Sequence, residues 1–203
     1  TTARREGGDY VIKGQKVYIS NAQQAHLVVV ACKTDPTAGA KGISLILVET
    51  DRPGFVRGKA LKKIGRKAQD TLELFFDDVR VPAAKQLGLE EGQGFCQLMG
   101  LLVQERLSSA VRGTSLMQVA LDETLHFVKE REAFGKPVAA FQNTQFELGD
   151  LWSGFLAHKV FVEWCIERHL AGQLTAVEAA AVKLRASEYE GVLIDRCLQF
   201  FGG

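Results

Sequence analysis

The spacing of apolar positions divides the chain into two halves with different periods. Between Tyr10 and Val81 the apolar residues come in short, β-prone runs. Tyr10-Val-Ile-Lys13 and Lys16-Val-Tyr-Ile-Ser20 flank Gly14 and predict a hairpin. Leu27 to Cys32 and Ile43 to Glu49 predict two further strands, separated by a turn-rich stretch from Thr34 to Gly42. From Thr71 to Val81, Leu72, Leu74 and Phe76 alternate with Thr71, Glu73 and Phe75, the period of a strand with one buried face, and Pro82 ends it. Several short strands with no helix between them predict an antiparallel sandwich or barrel rather than a βαβ unit.

After Gly94 the period lengthens. Phe95, Leu98, Met99 and Leu102 recur at helical spacing, and Leu116, Val119 and Ala120 carry the stripe toward Val128. One long helix, or two stacked nearly end to end, is expected, with Leu98 and Leu102 in a bundle core. Phe134-Gly-Lys-Pro137 is a stop signal. A second helix is expected from about Phe141 to Leu170, closed by Ala171-Gly172. A third opens at Thr175, an N-cap with Glu178 in capping-box spacing, and runs to about Phe200. The expected fold class is therefore α+β and multidomain: an antiparallel β-sandwich or barrel segment followed by an incomplete antiparallel helical bundle.

Composition narrows the function. Hydrophobic residues make up 46% and charged residues 24%, which is ordinary for a globular protein and argues against long disorder. With 25 basic and 24 acidic residues the net charge is +1, and no basic run is interleaved with aromatics, so the footprint of a nucleic-acid binder is missing. The apolar runs are far shorter than the roughly 20 residues that cross a bilayer. Cys32, Cys96, Cys165 and Cys197 form no C-x-x-C pair and read as reduced, mostly buried thiols. His26, His126, His158 and His169 lack metal-ligand spacing and are expected at the surface or at helix caps. G-x-S-x-G, G-x-G-x-x-G and P-loop patterns are absent. Thr1 in place of Met, and a Gly202-Gly203 end suited to a turn, lead us to expect a piece of a longer chain, from which any targeting sequence has been lost.

Four patterns in order resemble the acyl-CoA dehydrogenase family across nearly the whole chain. Tyr18-Ile-Ser-Asn21 is similar to the family's aromatic-Ile-Thr/Ser-Asn strand beside the flavin ring. Gly65, Asp70-Thr-Leu-Glu-Leu-Phe-Phe76 and Asp78-Val-Arg-Val-Pro82 resemble the strand that leaves its β domain. Arg131-Glu-Ala-Phe-Gly135 followed by Gln142, and Gln199-Phe-Phe-Gly-Gly203, complete the set. The second and third patterns are the specific ones. By this resemblance residues 1–88 are the C-terminal part of the middle β domain, and residues 89–203 are the first three helices of the C-terminal bundle.

The resemblance implies flavin-dependent removal of hydrogen from Cα and Cβ of an acyl-CoA thioester, giving a trans-2-enoyl-CoA in fatty-acid or branched-chain catabolism, with FAD as cofactor. An α C–H is a weak acid, so this chemistry needs a carboxylate base and a polarised carbonyl. In the long-chain and isovaleryl subgroups the base lies in a segment resembling Gln104-Glu-Arg-Leu107, which singles out Glu105. Its neighbours Leu101, Leu102, Val103 and Leu107 are expected to desolvate that carboxylate and raise its pKa.

The family's FAD contacts fall on Tyr18, Ile19, Ser20, Arg131, Phe134, Gln142, Gln199, Phe200, Phe201, Gly202 and Gly203. Its acyl-CoA contacts fall on Cys96, Val103, Gln104 and Arg106. Arg131, Phe134 and Gln142 resemble residues that reach a neighbouring subunit's FAD, so a homodimer or homotetramer is implied, with the piece inactive by itself. An electron-transferring flavoprotein is the implied acceptor, and the implied compartment is the bacterial cytoplasm or the mitochondrial matrix. An acyl-CoA oxidase or flavin monooxygenase on the same scaffold, and a non-catalytic scaffold relative, are the alternatives.

Overall fold

The computed structural model describes residues 1–202, which fold as two compact units whose division, after Met99, falls inside one helix. In the first unit, β1 (Thr2–Glu6), β2 (Asp9–Ser20), β3 (Leu27–Lys33), β4 (Ile43–Glu49), β5 (Phe55–Ala60) and β6 (Thr71–Pro82) form one sheet in the order β4-β3-β1-β2-β6-β5. Every neighbouring pair is antiparallel except β1 and β3. The period of two in β6 is realised: Leu72, Leu74 and Phe76 are buried with Tyr10, Ile12, Val30, Ile46, Val48, Val79 and Val81. Fully burying each large side chain contributes about 1.5–3 kcal/mol before ordering costs.

Two expectations in this half are corrected. Tyr10–Lys13 and Lys16–Ser20 are not the arms of a hairpin across Gly14 but one strand, β2, with its register shifting at Gly14 and again between Lys16 and Ile19. Gly14 sits there because its φ is +136° and a Cβ would lie 2.7 Å from Thr1 Cα, so it marks a bulge and a close approach rather than a turn. The hairpin lies earlier, where Glu6 pairs with Asp9 around Gly7-Gly8 and creates β1. β5 was likewise not expected; its Gly58 and lone charges hide the alternation.

The buried Tyr10 ties the sheet to the segment after β6. Its Oη donates to Glu91 Oε1 at 2.5 Å and lies 2.6 Å from Gln86 Oε1. Burial first, and then the Glu91 carboxylate, pushes the phenol up to about 12.

The second unit is an antiparallel bundle of α1 (Gly94–Glu130) from Gly100 onward, α2 (Gln142–Leu170) and α3 (Ala176–Phe200). Of the two readings for the first helix, one continuous helix is correct. Its buried stripe is Leu107, Ala110, Met117, Leu121, Thr124 and Val128, at spacings of three, four and seven. Leu98 and Leu102 are not in that core, and Leu116 and Val119 face outward, because α1 carries a second apolar face that the described residues leave uncovered. Leu107 and Ala110 pack with Val162, Cys165, Val182 and Ala186, while Met117 and Leu121 pack with Leu151, Phe155, Leu193 and Cys197. These two layers set the up-down-up order of the helices. The Thr175 capping box is formed, with Glu178 N donating to Thr175 Oγ1 and Thr175 N donating to Glu178 Oε2. His158 is buried, contrary to the expectation of a surface or cap position. Cys32, Cys165 and Cys197 are buried and Cys96 is exposed.

Candidate functional site

The end of β2 departs from ideal strand geometry where the Tyr18-Ile-Ser-Asn21 pattern sits. Tyr18 is 76% exposed and has φ of +60°, a conformation that a bulky L-residue rarely adopts. The register shift between Lys16 and Ile19 produces it, turning the Tyr18 ring out of the sheet and leaving Ile19 half-buried and Ser20 exposed opposite Thr71. Asn21 also has positive φ, and the following loop is pinned: Asn21 N donates to Asp70 O, and Gln23 N to Asp70 Oδ1.

Arg57 braces the same loop. Its guanidinium donates to Ala22 O, Ala25 O and Thr50 Oγ1 at 2.7–3.0 Å. Sequence reasoning missed Arg57, since two of its partners are backbone carbonyls that leave no sequence signal.

On α1, Cys96 and Val103 are seven residues apart and share a face, with Gln104, Glu105 and Arg106 beyond them. Cys96, Gln104 and Glu105 are exposed; Val103 and Arg106 are half-buried. The desolvation expected of Glu105 is not supplied by the described residues: Leu107 turns into the core while Leu101 and Glu105 stay exposed.

The remaining predicted residues converge on one end of the bundle, where α1 ends, α2 begins and α3 ends. Glu132–Ala133 and Lys136–Pro137 form a two-stranded hairpin, β7 and β8, in place of a simple stop. Its two-residue turn, Phe134-Gly135, has positive φ at both positions, as a type I′ turn requires. Phe134 is 97% exposed and meets Phe141 edge to face at 6.4 Å, while Lys136 Nζ lies 4.3 Å from the Phe141 ring centroid.

Arg131 is exposed with its guanidinium in no ion pair among the described residues, while its backbone is held by Phe127 O and Val138 N. Gln142 opens α2, beside a cleft of 380 Å3 whose lining includes Asn143, Glu147, Arg196, Gln199 and Phe200. Phe201 stacks on Phe127, and Gly202 closes the turn with N–H to Gln199 O. Gly203 lies outside the described residues. Glu105 is not part of this cluster: 25 residues of helix separate it from Glu130, roughly 37 Å at about 1.5 Å per residue.

The family model of the acyl-CoA dehydrogenase middle domain matches residues 1–79, and that of the acyl-CoA dehydrogenase C-terminal domain matches residues 92–203. This chain belongs to the acyl-CoA dehydrogenase family. The mitochondrial long-chain specific acyl-CoA dehydrogenase of Rattus norvegicus is 42% identical over 205 residues, covering 100% of this chain and 47% of its own length. The crystal structure of an acyl-CoA dehydrogenase from Geobacillus kaustophilus matches with a TM-score of 0.96 and 44% identity, over 100% of this chain and 53% of that one. A glutaryl-CoA dehydrogenase from Mycobacterium smegmatis, solved in complex with FADH2, matches with a TM-score of 0.92 and 28% identity, over 100% of this chain and 51% of that one. The chain thus spans about half the length of the acyl-CoA dehydrogenases it matches. No described helix is long and apolar enough to cross a membrane.

Proposed function

We propose that this chain is the middle-to-C-terminal part of an enzyme that removes hydrogen from Cα and Cβ of an acyl-CoA thioester, giving a trans-2-enoyl-CoA. The observation that carries the reading is Tyr18: an exposed aromatic held in a strained conformation is a platform for a planar group, and strain of this kind gathers at functional sites. The residues present fit FAD. Tyr18 and Ile19 offer an apolar surface, Ser20 a hydroxyl donor for the flavin edge, and Arg131 a planar fork, in no ion pair among the described residues, that suits a pyrophosphate. Gln142, Gln199 and the exposed Phe134 offer amide and ring contacts for an adenosine, with Phe200, Phe201 and Gly202 beside them.

FAD, when bound, would supply the two-electron acceptor for the hydrogen that leaves Cβ. Glu105 takes the Cα proton onto its carboxylate, so the C–H bonding electrons become the new double bond. Cys96, Val103, Gln104 and Arg106 line the acyl-CoA along the same helix. Arg131 resembles the family residue that serves the FAD of a neighbouring subunit, and the roughly 37 Å of α1 between Glu105 and the Arg131 end supports that reading, with a homodimer or homotetramer as the working unit. An electron-transferring flavoprotein takes the electrons onward, in the bacterial cytoplasm or the mitochondrial matrix according to source.

Anaerobic titration of the full-length flavoprotein with a ladder of acyl-CoAs tests the reading. Stoichiometric bleaching of the flavin by at least one of them is expected; a flavin that none of them bleaches would contradict it.

A further inference from the structure

We propose that the loop between β5 and β6 docks on the surface of an anionic lipid bilayer. From Lys59 to Lys67 the chain carries Lys59, Lys62, Lys63, Arg66 and Lys67, five cations in nine residues with no acid, in a protein whose net charge is only +1. Lys63 is committed, its Nζ donating to Gln69 O and Thr71 Oγ1. The other four are exposed and make no ion pair among the described residues.

The loop is shaped as well as charged. Arg66 adopts φ of +50°, and Gln69 N donates to its carbonyl, which holds a tight turn. Ile64 projects fully exposed from the middle of the cations. Behind the turn lies a cleft of 440 Å3 lined by Lys62, Lys63, Lys67 and Asp70 among others. Asp70, the acid in that cleft, accepts from Gln23 N and so points back toward the sheet.

A cluster of cations alone fits any anion. An isoleucine at its centre asks for a partner that is anionic at its surface and apolar just beneath, which is the layering of phosphate headgroups over acyl chains. Each Lys or Arg close to such a surface contributes about 1 kcal/mol, so the four uncommitted cations suffice for reversible attachment, with Ile64 entering the headgroup boundary. The inference rests on no step of the proposed reaction. Where that reaction holds, the loop keeps the enzyme at the interface into which long acyl chains partition.

The test is co-sedimentation of the full-length flavoprotein with vesicles of phosphatidylcholine alone or mixed with phosphatidylserine, at low and physiological salt. Binding to the phosphatidylserine vesicles that weakens with salt is expected. The double variant Lys62→Ala/Lys67→Ala should lower partitioning about 30-fold. Ile64→Ser should weaken binding while leaving its salt dependence, and Lys183→Ala on α3 should change nothing. Unaltered thermal melting of each variant shows that the fold is intact. Equal binding to both vesicle types, no vesicle binding, or unchanged partitioning of the double variant would overturn the proposal. So would loop-dependent capture of an acidic protein by a chain that ignores vesicles.

Discussion

Thr114 Oγ1 lies 3.1 Å from His158 Nε2 across the α1–α2 contact, and the same hydroxyl donates to Ala110 O at 2.9 Å. A hydroxyl has one proton to give, so Thr114 accepts from His158, and the buried imidazole is the neutral tautomer with its proton on Nε2. Burial first, and the positive charge of Arg185 second, hold the His158 pKa below its ordinary value of 6.5. The stability this group contributes is present above 6.5 and is lost as pH falls from there through the lower folded value. Denaturant melts across that window should show the loss, and His158→Gln, which still donates to Thr114 but does not titrate, should flatten it.

At Gly154 of α2 the α3 side chain Tyr189 approaches closely: a Cβ there would lie 2.1 Å from Tyr189 Oη, whose hydroxyl donates to Leu151 O at 3.0 Å. Gly154→Ala should therefore destabilise by about 1–3 kcal/mol despite the better helix propensity of alanine. Tyr189→Phe should cost about 1 kcal/mol for the lost hydrogen bond. Because the second change removes the clashing oxygen, the double variant should be more stable than the sum of the two. A chemical-denaturation double-mutant cycle reads that coupling.

The capping box at Thr175 joins a one-residue cause to one helix end. Thr175→Ala should cost about 1 kcal/mol, and Thr175→Ser should restore most of it, measured by the same melts.

Much of the bundle was legible because helical periodicity and cap chemistry are local. Thr175 and Glu178 announced α3 three residues apart, and the structure starts that helix at Ala176. Burial on α1 was not legible in the same way. Leu98, Leu102, Leu116 and Val119 look as core-like as Leu107 and Met117, and only the packing of α2 and α3 selects which face is covered. In the sheet, alternation revealed β6, but Gly14 was ambiguous between turn and bulge until the approach of Thr1 decided it. For the candidate site, sequence pattern pointed to Tyr18 and Arg131. It could not foretell the left-handed Tyr18 backbone or the brace from Arg57, which depend on register and on backbone carbonyls brought from afar.

Separation of Glu105 from the Arg131 end of the bundle makes a prediction about subunits. Arg131→Ala should strip FAD retention, and Glu105→Gln should keep the cofactor but stop turnover. When the two variants are co-expressed, mixed oligomers hold some sites with Glu105 in one subunit and Arg131 in its neighbour, both intact. Activity should reappear in the mixture, with bound flavin rising alongside it. Mixtures as inactive as their components would place both residues in one subunit's site.

Glu105 is the carboxylate on which the proposed chemistry turns, and replacing it with glutamine removes its basicity at nearly constant size. The deciding measurement is stopped-flow bleaching of Glu105→Gln flavoprotein by the acyl-CoA that best reduces the wild type. Full FAD content with bleaching slowed about 10²–10⁴-fold, and partial recovery in Glu105→Asp, is the predicted result. Bleaching at the wild-type rate by the glutamine variant would contradict the assignment and move the base to another group.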